Sequence, residues 1–289
     1  MTIRAASAAD MSLFAEWAER EGWNPGAFDG GCYRVVDDGA FLIGAFGGED
    51  VALVSAVRYG AAGGGFGFLG FYIVRPDMRG RGFGWQMWRA AISQMASCAV
   101  IGLDGVAGQV DSYAKSGFVF AFVNIRREFA GGGALPAAIG KDGKDDGIVS
   151  LSALAFDDIA AYLLPFFPAP RPAFYRAWIC QPEVITLGYL RGGKLAGVGV
   201  MRKCRSGRKV APLFADDDGI ADMLLRALKA HAAGGEPLFM DMPDVNPAAE
   251  VMARRYDMRQ CFTIARMYKG KTPPLPTGRI YAITSPEIG

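Results

Sequence analysis

Apolar residues change their period several times along this chain, and each change predicts an element. Residues 7–21 carry Met11, Leu13, Phe14 and Trp17 on a rough helical stripe, with Ser7 placed to cap it. Residues 40–46 and 51–58 are apolar runs of strand length, joined by Gly47-Gly48-Glu49-Asp50, which reads as a hairpin turn. A third run, 66–74, is apolar nearly throughout and predicts a more buried strand. The period then becomes helical: Gly84, Met87, Trp88, Ala91, Ile92 and Met95 share one face within residues 83–98. Residues 98–103 predict a strand, "YAKSGF" (113–118) closes a short helix, and 119–126 returns as a strand. Residues 130–147, "AGGGALPAAIGKDGKDDG", have no apolar period and read as a linker or long loop.

The pattern then repeats. "IGAFGGEDVALVSAVR" (43–58) overlays "LGYLRGGKLAGVGVMR" (187–202) without a gap. Gly44 and Gly188, Gly48 and Gly192, Ala52 and Ala196, Val54 and Val198, and Arg58 and Arg202 coincide. Shared turn chemistry explains some of the match, but the same later order of strand, turn, helix and strand predicts a duplicated fold. The expected layout is a first half at 1–129, a linker at 130–147 and a second half at 148–289. Between the repeats, the aromatics of "AYLLPFFPAPRPAFYRAWI" (161–179) read as core or inter-domain packing ahead of a substrate-facing wall.

Composition narrows the functions. The chain has 289 residues, room for two domains, and 51% of them are hydrophobic. A formal charge of +2 gives no global field toward nucleic acid or an acidic membrane, so any basic function is local. The five cysteines, Cys32, Cys98, Cys180, Cys204 and Cys261, are far apart and form no C-x-x-C pair. That argues against a disulfide framework and a zinc site, and no metal is expected. No signal-peptide core and no apolar run of membrane-spanning length is present, so a soluble, cytoplasmic protein is expected. The single histidine, His231, follows a predicted helix and reads as its C-terminal residue, which removes Ser-His-Asp and Cys-His chemistry.

One stretch concentrates candidate chemistry. "DMRGRGFG" (77–84) lies between the buried strand and a helix start. A helix N-terminus exposes unpaired N–H groups and a partial positive charge. Gly80, Gly82 and Gly84 allow a ligand to approach the backbone, and Arg79 and Arg81 add charge. The combination suits a pyrophosphate. A solvated turn and an RNA-binding patch are the alternatives, the second weakened by the lack of nearby stacking platforms. The spacing is not G-x-G-x-x-G, and no Gly-Lys-Ser/Thr follows, so dinucleotide and Walker loops are excluded.

"FYIVRPDMRGRGFGWQMW" resembles motif A of the GNAT acyltransferases, a strand followed by R/Q-x-x-G-x-G/A and a helix, with Arg79, Gly82 and Gly84 at the matching positions. "YAKSGF" resembles the family's later L-Y-x-x-x-G-F segment, in the right order. The resemblance covers about residues 1–127, and the whole chain looks like two-domain bacterial members with a diverged second half. It implies a mixed α-β (α+β) fold of two tandem domains, each a mostly antiparallel sheet flanked by helices. It also implies acyl-CoA bound between two splayed strands, with acetyl-CoA as co-substrate. The pantetheine would pair with the backbone of Tyr72, Ile73 and Val74. The pyrophosphate would rest on Arg79, Gly80, Arg81, Gly82, Phe83, Gly84 and Trp85. Tyr113 matches the tyrosine that serves as general acid, and Asp104 stands near the usual carboxylate base.

Two departures matter. The segment from Asp104 to Tyr113 is about three residues shorter than usual in the family, so Asp104 is read as a base, a substrate ligand or a helix cap. In the second half, Asp216, Asp217 and Asp218 replace the arginines and glycines, and "MARRYDM" (252–258) keeps neither the tyrosine in phase nor Gly-Phe. That half is expected not to bind CoA in the usual way, since carboxylates repel a pyrophosphate. The resemblance therefore implies an N-acetyltransferase acting on a small-molecule or peptide amine, with no membrane or nucleic-acid partner and a homodimer left open. The rivals are a non-catalytic acyl-CoA-binding protein and an aminoacyl or long-chain acyl transferase.

Overall fold

The computed structural model describes residues 1–60, 65–136 and 147–289. The first half runs β1 (Thr2–Ala5), α1 (Met11–Arg20), α2 (Asp29–Arg34), β2 (Phe41–Phe46), β3 (Glu49–Tyr59), β4 (Phe66–Val74), α3 (Phe83–Gln94), β5 (Val100–Val106), α4 (Val110–Ala114) and β6 (Val119–Ala130). The second runs β7 (Gly147–Ser150), α5 (Phe156–Leu163), α6 (Pro172–Ile179), β8 (Ile185–Arg191), β9 (Lys194–Lys203), β10 (Arg208–Ala215), α7 (Asp218–Ala230), β11 (Pro237–Pro243), α8 (Pro247–Arg255), β12 (Arg259–Lys269) and β13 (Ile280–Ala282). Residues 137–146, most of the expected linker, lie outside the described residues. No described helix is long and apolar enough to cross a membrane.

The architecture is mixed α-β, with one mostly antiparallel sheet carrying helices on both faces. Its strand order is β1-β2-β3-β4-β5-β12-β6-β11-β10-β9-β8-β7, with β13 beside β10. Among the described strands, only β4 with β5 and β10 with β11 pair in parallel. Helices on both faces explain the unbroken apolar runs, because β3 is buried almost from end to end. One face packs Met87, Trp88 and Ala91 of α3 against Ala52, Val54 and Leu69. The other buries Phe14, Tyr33, Phe41, Phe71 and Trp178 in one cluster. The aromatic segment at 161–179 is packing, as expected: Phe166 stacks on Phe214 at 4.2 Å, and Trp178 donates its indole N–H to the Ala211 carbonyl at 2.9 Å.

The six strands β1–β6 recur in order as β7–β12, with β13 additional, but the two halves are not separate sheets. β12, from the second half, lies between β5 and β6, and β6, from the first, lies between β12 and β11. Each half donates its late strand to the other, so a cut between residues 129 and 148 separates β6 from both its partners. Buried ion pairs tie the exchanged strands. Asp104 on β5 meets Arg266 on β12 through two bonds of 2.7 and 2.6 Å. Arg126 on β6 meets Asp241 on β11 through two of 2.7 and 2.9 Å.

Local details differ from the sequence expectation. α1 begins at Met11, because Asp10 accepts from both the Ser7 N–H and hydroxyl at 2.7 Å and Ser7 does not cap it. The first hairpin turns on Gly47 and Gly48 alone, with φ of 64° and 85°, which glycine adopts without strain. α2 was not expected, since six residues of "DGGCYR" show no apolar stripe. β5 continues to Val106, which puts Asp104 inside a strand, where it cannot cap a helix.

Replacing Arg266 with methionine should leave the Asp104 carboxylate buried without its cation. The expected cost is about 3–5 kcal/mol, read by urea unfolding. A loss below about 1 kcal/mol would contradict the strand-tying role of this pair.

Candidate active site

β4 and β5 stay paired only from Phe66 opposite Val100 to Leu69 opposite Leu103. Beyond that point they diverge. A β-bulge lies where they diverge: β3 keeps Leu53 on Ile73 and Ser55 on Gly70, so Phe71 and Tyr72 together oppose Val54. Phe71 takes φ of 46°, a left-handed conformation unusual for a bulky residue. Among the described residues, the β4 edge facing β5 over residues 70–74 therefore has no strand beside it.

A cavity of about 480 Å³ opens in this gap. It reaches Tyr72, Ile73, Val74, Arg79, Gly80, Gly82, Phe83, Gly84 and Trp85 at one end, and Asp104, Gly105 and Tyr113 on the β5 side. The sequence-predicted residues thus come together, with Arg81 outside the lining. Sequence reasoning missed some of the wall: Trp23, Arg126 and Phe262 come from elsewhere in the chain, and Pro286 and Glu287 from the C-terminal segment. No period or motif marked them.

At the turn, Gly80 and Gly82 have φ of 75° and 80°, and a Cβ on either would meet nothing within 4 Å among the described residues. Their role is conformational, and the space above them is open. Gly84 differs, because its Cβ would lie 2.7 Å from the Tyr72 hydroxyl. The first backbone bond of α3 runs from Gln86 to the Gly82 carbonyl at 3.2 Å, so the N–H groups before it point forward unpaired by the helix. Arg79 donates to the Val74 carbonyl at 2.9 Å and pairs with Glu21. Arg81 is exposed and lies over the rings of Phe46 and Phe83, 5.5 and 5.6 Å from their centroids.

Tyr113 stacks on Trp88 at 5.4 Å, and Gly105 makes room for it, since a Cβ there would lie 2.2 Å from its ring. Burial pushes the phenol well above its ordinary value, with the nearby Tyr72 adding to the shift, so it stays protonated at neutral pH. Asp104 is fully engaged: Arg266 binds both carboxylate oxygens and the Asn124 amide adds a bond of 3.1 Å. Burial pushes its carboxyl up while the guanidinium opposes this. The geometry makes it a strap between β5 and β12.

The second half builds the same split and closes it. β10 bulges at Ala211 and Pro212 opposite Val200, and its parallel pairing with β11 is confined to Arg208 and Lys209. There β13 fills the gap, setting Leu213 against Ala282 and Phe214 against Ile280, and the Ile283 N–H reaches the Asp241 carbonyl at 3.0 Å. The helix start is occupied too. Asp217 caps α7, accepting from the Ile220 N–H at 2.9 Å, and pairs with Arg191 at 2.5 Å. His231 is the C-terminal cap residue of α7.

Comparison with known proteins agrees with this geometry. The acetyltransferase (GNAT) family profile matches residues 7–118, and an acetyltransferase (GNAT) domain profile matches residues 161–282. The chain is 27% identical over 288 residues to holothin acyltransferase of Pseudoalteromonas sp. (strain SANK 73390), covering 100% of this chain and 94% of that protein. A candidate acetyltransferase from Pyrococcus horikoshii has a TM-score of 0.79 at 19% identity, covering 100% of this chain and 95% of that one. A tandem GNAT protein from the clavulanic acid biosynthesis pathway has 0.63 at 13% identity, covering 94% and 99%. At these identities the structural matches speak for the fold.

Removing the acidic cap tests the electrostatics of the closed half. Asp217→Ala should cost about 1 kcal/mol of stability at pH 7. The hydrogen bond from Ile220 lowers the folded carboxyl, so the contribution is present above the unfolded carboxyl value and fades as pH falls. Chemical denaturation at several pH values should show the variant and the parent converging below about pH 4. A constant difference down to pH 2–3, roughly below the carboxylate range, would contradict the cap.

Proposed function

The chain belongs to the GNAT acyltransferase superfamily as a two-domain member, and on that premise we propose that it moves an acetyl group from acetyl-CoA to a primary amine by direct attack. The supporting observation is one cavity that joins an unpaired strand edge, a glycine-rich helix start and a buried tyrosine.

Each component has a chemical task. The edge at 70–74 offers main-chain donors and acceptors to the pantetheine amides, as an added strand would. An N–H of that edge polarises the thioester carbonyl and holds the developing oxyanion. The N–H groups before Gln86 receive the pyrophosphate, with Arg79 and Arg81 adding charge around it. Nitrogen attack forms the C–N bond and expels the thiolate. Tyr113, neutral and buried, gives that sulfur its proton. Asp104 is assigned to holding β5 and β12 together rather than to proton transfer. The second half carries no second CoA site, because its split is filled by β13 and its helix start by Asp217. The holothin acyltransferase match favours a small-molecule acceptor over a protein one.

Three measurements bear on this reading. Calorimetry should find acetyl-CoA bound, and its failure to bind at millimolar concentration would remove the proposal. Gly82→Ala, forced into the left-handed region, should displace the phosphate-facing N–H groups and weaken that binding about tenfold. Unchanged affinity would show that the turn does not hold the ligand. Tyr113→Phe should lower kcat about a hundredfold in a thiol-release assay while leaving acetyl-CoA affinity nearly intact. An unchanged kcat would sink the general-acid role.

A further inference from the structure

The segment after β13 leaves the second half and closes the inner end of the first half's cavity. Gly70, the first β4 residue beyond the split, makes room for it: a Cβ there would lie 1.9 Å from the Glu287 carbonyl oxygen. Leu69 and Leu103, the last pair before the strands part, line the same cavity, and so does Pro286. The inner end thus has a floor of two leucines set by sheet register and a wall brought from the second half.

That wall is rigid. Ser285 Oγ accepts from the backbone N–H groups of Glu287 and Ile288 at 3.1 and 3.4 Å. The Ser285 carbonyl accepts from the Gly289 N–H at 3.0 Å, and the Tyr59 hydroxyl donates to the Ile288 carbonyl at 2.7 Å. Every residue of 281–289 is buried except Pro286, which is half-buried and lines the cavity. A proline ring has a fixed φ and no long side chain to swing aside. Its free face is therefore a fixed apolar surface.

The direction of the ligand decides what meets this surface. With the pyrophosphate at the α3 start, the pantetheine runs along the β4 edge from Val74 back toward Gly70. Those five edge residues span about 13 Å of strand. The acyl group is the far end of the ligand, so it arrives where Gly70, Leu69 and Pro286 meet. We propose that Pro286 sets the acyl length: its ring, over the two leucines, leaves room for acetyl and stops longer chains. The inference rests on the acyl-transfer reading above. Pro286 takes no part in bond making; it discriminates by excluded volume. The first half would then owe its acyl specificity to a residue of the second.

The test is calorimetry on the full chain with coenzyme A, acetyl-CoA, butyryl-CoA and hexanoyl-CoA. In an open apolar cavity each added methylene would tighten binding about fourfold. Against a stop, butyryl-CoA should bind the parent no more tightly than acetyl-CoA, and hexanoyl-CoA about tenfold more weakly. Pro286→Ala removes the ring carbons beyond Cβ and should raise butyryl-CoA affinity about tenfold, with acetyl-CoA nearly unchanged. Pro286→Val keeps the bulk and should keep the parent's order of affinities. Coenzyme A, which has no acyl group to meet the ring, should bind the parent and both variants alike, which also reports that they fold. A parent that binds hexanoyl-CoA more tightly than acetyl-CoA would overturn the proposal. So would a Pro286→Ala variant with the parent's order, or a Pro286→Val variant that relaxes it. If Pro286→Ala fails to hold coenzyme A, the parent's series and Pro286→Val still decide. A parent that binds no coenzyme A would instead overturn the reading on which the proposal rests.

Discussion

A sheet can separate a pair of its strands only if something takes up the backbone groups left behind. That constraint organises this molecule. Buried N–H and C=O groups need partners, and here the same fold, used twice, meets the need in two ways. After Leu69 and Leu103 the first half leaves its split open beside a helix start rich in glycine. In the second half β13 enters the equivalent split and pairs with β10. The helix starts follow suit. One has glycines and arginines and stands open, while the other is capped by the carboxylate of Asp217. Strand edge and helix end change together, as expected if both serve one anionic, strand-like ligand in the first half and none in the second.

The closed half is not idle. Exchange of β6 and β12 joins the halves into one sheet, and buried pairs such as Arg126 with Asp241 and Asp104 with Arg266 span the joins. Such pairs do little for stability beyond a well-packed apolar contact, but a broken one is costly. They therefore penalise wrong strand partners, in a sheet whose apolar strands would otherwise pair with many. The closing strand continues into the segment that carries Pro286 to the open cavity. Duplication thus gives the first half a wall that one copy of the fold lacks.

Much of this was legible in local sequence, where periodicity and turn chemistry act over a few residues. The hairpins, the helix at 83–94, the glycine turn and the acidic second turn all follow from neighbours in the chain, while Tyr113 stands out only through the family resemblance. The duplicated pattern was legible because 43–58 and 187–202 share the phase of their apolar residues. What escaped depends on distant partners. Nothing near Asp104 indicates that Arg266, 162 residues on, will claim its carboxylate. Ser7 looked like a cap, and Asp10 overrode it. The strand exchange leaves no periodic trace, since β6 reads the same whichever sheet receives it. β13 has only three residues, and Pro286 is a lone proline in a short tail, so neither produces a pattern.

The central claim is that one split receives acyl-CoA and the other is permanently filled. Amide hydrogen exchange, with and without acetyl-CoA, tests it most directly. Exchange at residues 70–86 should slow on adding the ligand. Residues 208–220 should be slow to exchange beforehand and unchanged by it. Slowing at 208–220, or none at 70–86 under conditions where the ligand is bound, would contradict it.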